Sequence, residues 1–129
     1  MAPQSRKIFV NLPVKNLDTS MTFFKALGFS FNAQFTDENS ASMVISDTIY
    51  ATLVTHGKFK EFSNKPIADA AKTTEVVICL SADSREEVNK MADAALKAGG
   101  QKLLEPQRSF QDPDGHIWEI MWMDPANVK

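Results

Sequence analysis

The sequence predicts an α+β chain of 129 residues in which one β-α-β-β-β unit is written twice. Three observations carry that prediction. Two amphipathic helix patterns, "NLDTSMTFFKALGF" and "DSREEVNKMADAALKAGG", begin roughly 67 residues apart. Each follows a short strand-like run and precedes three more. Each also ends on glycine, which suits the left-handed position that closes a helix. The repeat lies in pattern rather than in residue identity.

Residues 7–14, "KIFVNLPV", read as a strand whose far end cannot be central, because Pro13 lacks a ladder donor. A helix is expected near 17–27, capped by Asn16 or Asp18, striped by Phe23, Phe24 and Leu27, and stopped by Gly28. β-rich segments are expected at about 29–36, 41–46 and 49–56, with the polar turn-formers "TDENS" and "SD" between them.

The second unit opens on "TEVVICLS", a short apolar run with β-branched residues. The helix expected near 84–98 has Ser84 and Glu87 as a capping box and Val88, Met91, Ala92, Ala95 and Leu96 as its stripe. Gly99 and Gly100 stop it, and short strands are expected near 101–104, 108–111 and 116–123. The whole reads as a single domain over 1–129, with module one at about 5–57, a crossover at 58–74 and module two at about 75–124. The crossover is long for a structureless connection, which predicts a lid or a short helical turn. Phe59 and Phe62 would either cover a pocket mouth or anchor the crossover to the sheet.

Hydrophobic residues at 43% and charged residues at 23% describe one ordinary globular domain. A net charge of −2 with no Lys/Arg block predicts no nucleic-acid partner. No apolar run approaches the roughly 18 residues of a membrane span, so the cytoplasm is the expected location. Cys79 is the sole cysteine, which excludes an internal disulfide, and within "EVVICL" it reads as a buried, inert thiol. No Ser-His-Asp order, G-x-S-x-G, P-loop or C-x-x-C motif supports covalent catalysis, nucleotide binding or a zinc site.

The stretch "DPDGHIWEI" places one carboxylate, Glu119, inside an apolar strand pattern. Glu119 either lines a pocket or sits on the wet face of an amphipathic strand. His116 reads as a structural group that stacks on or caps the turn, His56 as a surface or hydrogen-bonded histidine, and Glu75 as a solvated strand opener. Phe9, Phe31, Phe35, Trp118, Trp122, Met121 and Met123 outnumber what one small sheet face requires. Most are expected in the core, and the remainder suit an apolar pocket or a dimer interface.

The duplicated unit, "LPVKNLDTSMTFFKALGF" and "DPDGHIWEI" together resemble the vicinal oxygen chelate superfamily, which includes glyoxalase I, extradiol dioxygenases, and bleomycin and fosfomycin resistance proteins. The resemblance covers nearly the whole chain. It implies a glyoxalase/bleomycin resistance/dioxygenase-like fold, in which two βαβββ modules form a cup-shaped, curved mixed sheet, often within a dimer. It also implies a divalent metal held by the first and last strands of the modules. On that resemblance the last-strand carboxylate is Glu119, pointing into the cup with parity opposite to Trp118 and Ile120. The other ligand positions fall on Phe9, on Val77 (or two residues earlier on Glu75) and on Thr52, with His56 on the same strand face.

A divalent ion needs at least three convergent N or O ligands, and neither Phe9 nor Val77 can coordinate. No cofactor and no stoichiometric metal is therefore expected in that position. Two functions follow. The first is metal-free binding of a small, partly apolar molecule by Phe9, Thr52, His56, Val77 and Glu119, with Glu119 the candidate catalytic carboxylate. The second is a metal-dependent lyase or dioxygenase acting on vicinal oxygens, with Glu119, His56 and Glu75 as a rearranged ligand set. The aromatic and methionine surplus predicts a homodimer.

Compared with similar family members, the loop between "EP" and "RSF" is shortened. The stretch "LLEPQRSFQDPDG", Leu103 to Gly115, leaves only about three residues to turn a hairpin. Either the module is truly short, or residues of a mobile lid are missing from the numbering; the intact flanks favour the second.

Overall fold

A computed structural model describes residues 6–102 and 109–122 of the chain. Two compact units divide it, Met1–Ile67 and Ala68–Lys129, with the boundary inside the expected crossover. The expected hairpin between Glu105 and Arg108 lies outside the described residues, as does Met123.

The first unit runs β1 (Ile8–Val14), α1 (Leu17–Ala26), β2 (Ser30–Asn32), β3 (Ser40–Val44), β4 (Ile49–Thr55) and the short α2 (His56–Phe59). Its sheet order is β1-β4-β3-β2, with β1 parallel to β4 and the other pairs antiparallel. Among the described strands β1 is thus an edge, the place a strand containing Pro13 can occupy.

Alternation along the strands sends Leu12, Val14, Ala41, Met43, Ala51 and Leu53 to one face, and all are buried. Helix α1 packs on β3 and β4 and supplies Phe23 and Phe24, whose rings meet edge to face at 5.0 Å. Each of these rings contributes about 1.5–3 kcal/mol through burial. Asn16 is the cap: its side-chain oxygen accepts the Thr19 N–H at 3.0 Å.

Three expected strands of this unit end early, and the run expected to 46 stops at Val44. The run expected to 36 stops at Asn32, because the Asn32 side chain accepts the Gln34 N–H and starts a 3-10 turn, Ala33–Phe35. The run expected to 56 stops at Thr55, and His56 opens α2 instead. The crossover does begin with a helical turn, as expected. The turn packs on β4 and β1, with Phe59 against Phe62 at 5.6 Å.

The second unit repeats the plan: β5 (Val77–Ser81), α3 (Arg85–Lys97), β6 (Gln101–Lys102), β7 (Ser109–Gln111) and β8 (Ile117–Met121), in the order β5-β8-β7-β6. Strand β5 is parallel to β8, as β1 is to β4. The cap on α3 is a displaced box. Ser84 Oγ accepts the Glu87 N–H at 3.1 Å, but the Glu87 carboxylate reaches the Asp83 N–H at 2.8 Å, one residue before the usual partner. The helix stripe is narrower than expected: Val88 and Ala95 are buried, while Leu96 is exposed. Among the described residues no helix is long and apolar enough to cross a membrane.

Candidate functional site

The second unit's site is built upward from the turn that feeds β8. Asp112 Oδ1 accepts the N–H groups of Asp114 and His116 at 3.0 and 3.1 Å, and Oδ2 accepts the Trp118 indole N–H at 3.0 Å. Burial pushes the Asp112 carboxyl above the ordinary carboxylate range, opposed by His116 and by these three donors. Gly115, at φ 96°, closes the turn, and a Cβ there would lie 2.7 Å from the backbone of Ala70 and Ala71. Only glycine lets the crossover approach so closely.

His116 is buried, and its Nδ1 meets Glu75 Oε1 at 2.5 Å. This agrees with the structural role expected of His116 and corrects the expectation for Glu75. Glu75 lies two residues before β5 instead of opening it; the residue as a whole is exposed, while its side chain is 24% exposed and hydrogen-bonded to the turn.

From that turn β8 runs out in a fixed register. Trp118 and Ile120 are buried on one face, and Glu119 emerges half-buried on the other, with the parity the sequence predicts. Cys79 on β5 and Ser109 on β7 stand directly opposite it, so thiol, carboxylate and hydroxyl form one cross-strand row. Cys79 was expected to be buried but is exposed on this face. Its run alternates, and Ile78 and Leu80 take the inner positions. Partial desolvation, then the charge of Glu119 and a hydrogen bond to it, push the thiol up, which keeps it protonated at neutral pH. Val77 lies on the same face, 49% exposed.

In the first unit, Phe9 is 57% exposed and stacks on its register partner Tyr50, with ring centroids 5.2 Å apart and planes within 12°. Lys7 Nζ lies 5.7 Å from the Tyr50 ring. Thr52 follows on the same face, paired with Asn11. His56 leaves that face by entering α2. The core expected of most large aromatic and methionine side chains holds for Trp118, whereas Phe9, Phe35 and Met121 are exposed. Sequence reading missed Tyr50 and Ser109. Strand parity puts Tyr50 on the face of Thr52, but its pairing with Phe9 required the register of β1 on β4, as the pairing of Ser109 required that of β7.

Two groupings bear on metal binding. Asp112, Asp114 and His116 present ligand atoms within 4.8 Å of one another, all buried. Both Asp112 oxygens accept N–H donors and His116 Nδ1 holds Glu75, so the cluster also serves as the turn's own hydrogen-bond network. The Glu119 row offers one carboxylate, one thiol and one hydroxyl, and Val77 on the same face offers no donor atom. That set does not fit a hard divalent ion, which requires several charged or carbonyl oxygens.

Residues 6–46 match the family described as bleomycin resistance protein-like N-terminal. No curated protein matches the chain in sequence. Among solved structures, a hypothetical protein from S. aureus is 27% identical, with a TM-score of 0.72 over 93% of this chain and 94% of that one. A glyoxalase/bleomycin resistance protein/dioxygenase family enzyme from Burkholderia phytofirmans is 16% identical, with a TM-score of 0.71 over 87% and 94% of the two chains. The fosfomycin resistance protein FosX from Mesorhizobium loti is 16% identical, with a TM-score of 0.62 over 88% and 87%. Identities of 16% establish a shared fold and nothing finer.

Proposed function

The chain has the glyoxalase/bleomycin resistance/dioxygenase fold of the vicinal oxygen chelate superfamily, and on that premise we propose that it binds a small, partly apolar molecule without a metal. The observation that carries this reading is the exposed Phe9–Tyr50 stack, which stands where the resemblance puts a metal ligand. An exposed aromatic pair loses little conformational entropy on binding and offers a flat apolar platform. In the second unit Glu119 is the polar group of this proposal, and its neighbours Cys79 and Ser109 are hydrogen-bonding groups. Val77 adds apolar surface on the same face as Glu119.

The test is thermal shift of the purified protein with bleomycin and a panel of small aromatic compounds, with and without EDTA, beside elemental analysis after gentle purification. The expected result is a shift unaffected by EDTA, lost in Phe9→Ala and reduced in Glu119→Gln, with no stoichiometric divalent ion present. Stoichiometric metal, or binding that EDTA abolishes, would replace this reading with the metal-dependent one.

The same proposal includes a homodimer. In the first unit Ile8 and its register partner Ile49 are both exposed, and exposed apolar surface of this kind commonly marks an association surface. A monomeric mass by light scattering at micromolar concentration would remove the dimer from the proposal.

A further inference from the structure

We propose that the cavity between the start of α3 and the end of β8 is a binding site for a small carboxylate that carries a short apolar tail. The cavity has a volume of about 280 Å³ and is lined by Arg85, Val88, Ile120, Met121 and Trp122. Arg85 and Val88 are three residues apart and so share one face of α3. Ile120 and Trp122 are two apart and share one face of the strand and its extension. Val88 and Ile120 are buried, which makes a dry apolar floor.

At the mouth, the Arg85 guanidinium lies over the Trp122 ring, 5.4 Å from its centroid. Stacking occupies the flat face of a guanidinium and leaves its N–H edge available, in the fork geometry that matches a carboxylate. Among the described residues Lys58–Glu61 is the ion pair that involves a lysine or arginine, so no described carboxylate is paired with Arg85. Glu87, two residues on, accepts the Asp83 N–H. Glu86 is exposed beside Arg85 and opposes an anion by charge, whereas the positive end of the thirteen-residue α3 favours one.

The two halves of the cavity therefore select together. A bare anion gains the guanidinium but not the floor, an uncharged chain gains the floor but not the fork, and an amine is repelled. The volume is just below the range of drug-sized pockets, so it suits a fragment rather than an extended ligand. The inference does not rest on the open-face reading above.

The experiment follows the two tryptophan indole resonances by ¹H–¹⁵N NMR while sodium hexanoate, hexanol, hexylamine or sodium sulfate is added. Trp122→Phe assigns the signals, and the Trp118 indole, held by Asp112, serves as the internal control. The expected result is a saturable shift of Trp122 with hexanoate at millimolar concentration, with the Trp118 signal unmoved. The other three probes should bind about tenfold more weakly or not at all, and Arg85→Gln should weaken hexanoate by about tenfold. Arg85→Lys, which keeps the charge and loses the fork, should fall between. Equal shifts with hexylamine, a shift that never saturates, or full hexanoate binding by Arg85→Gln would overturn the proposal.

Discussion

Cys79 and Glu119 stand directly opposite each other on the parallel pair β5 and β8, a thiol beside a carboxylate on the face that Trp118 and Ile120 avoid. The carboxylate charge adds to partial desolvation in holding the thiol above its ordinary pKa. Because the thiolate is the nucleophile, Cys79 should react slowly despite its exposure. Glu119→Gln removes the charge while keeping the shape, so the second-order rate of Cys79 with a disulfide reagent at pH 8 should rise severalfold. A rate unchanged by the substitution would show that the two side chains do not interact.

Two glycines separate backbone strain from close approach. Gly28 and Gly115 both have positive φ, 102° and 96°, but a Cβ on Gly28 would meet nothing within 4 Å, whereas one on Gly115 would meet the Ala70 and Ala71 backbone at 2.7 Å. Gly28→Ala should lose about 1–2 kcal/mol, the conformational term alone. Gly115→Ala should lose that and force the crossover off the turn. Denaturant midpoints compare the two directly, and equal losses would remove the packing term from the account.

The fold was legible because its signals are local and repeated. Asn16 caps α1, Ser84 caps α3, and both helices fall within a residue or two of their expected ends. The parity of Glu119 was equally readable, since alternation with Trp118 and Ile120 fixes it. What could not be read were contacts between residues distant in sequence. Glu75 meets His116 across 41 residues, and no spacing rule joins them. Cys79 was misjudged for a related reason: an apolar run does not reveal which of its faces a helix covers.

Asp112 links stability to pH. Its folded carboxyl is raised, chiefly by burial, so the protonated form is the one the fold favours. Its contribution is therefore full below the unfolded value of about 3.9 and is lost as pH rises through the folded value. The stability of the native chain minus that of Asp112→Asn should accordingly shrink as pH rises from about 4. At every pH Asp112→Asn should still be the less stable, by about 1–3 kcal/mol, because its amide nitrogen cannot accept from the Trp118 indole where Oδ2 does. A difference that grows with pH would contradict the raised carboxyl.

The Glu75–His116 bond gives the turn its grip on the crossover. His116 sits at the entry to β8, its N–H held by Asp112 and its Nδ1 by Glu75, while the Asp69–Thr73 turn lies against Gly115. Losing the carboxylate by Glu75→Ala leaves a buried ring nitrogen without that partner, a loss of about 1–3 kcal/mol. Glu75→Gln retains an acceptor and should lose less than half as much. The loss should be local as well as global, because a hydrogen-bonded side chain and one close backbone approach fasten this stretch. Hydrogen exchange should therefore quicken at Ala71, Lys72 and Thr73, whose N–H groups are bonded within that turn, before it quickens in β5 or α3. Uniform acceleration across the unit would mean that Glu75 supports the module as a whole. No acceleration at all would mean that the turn is held by Gly115 packing alone.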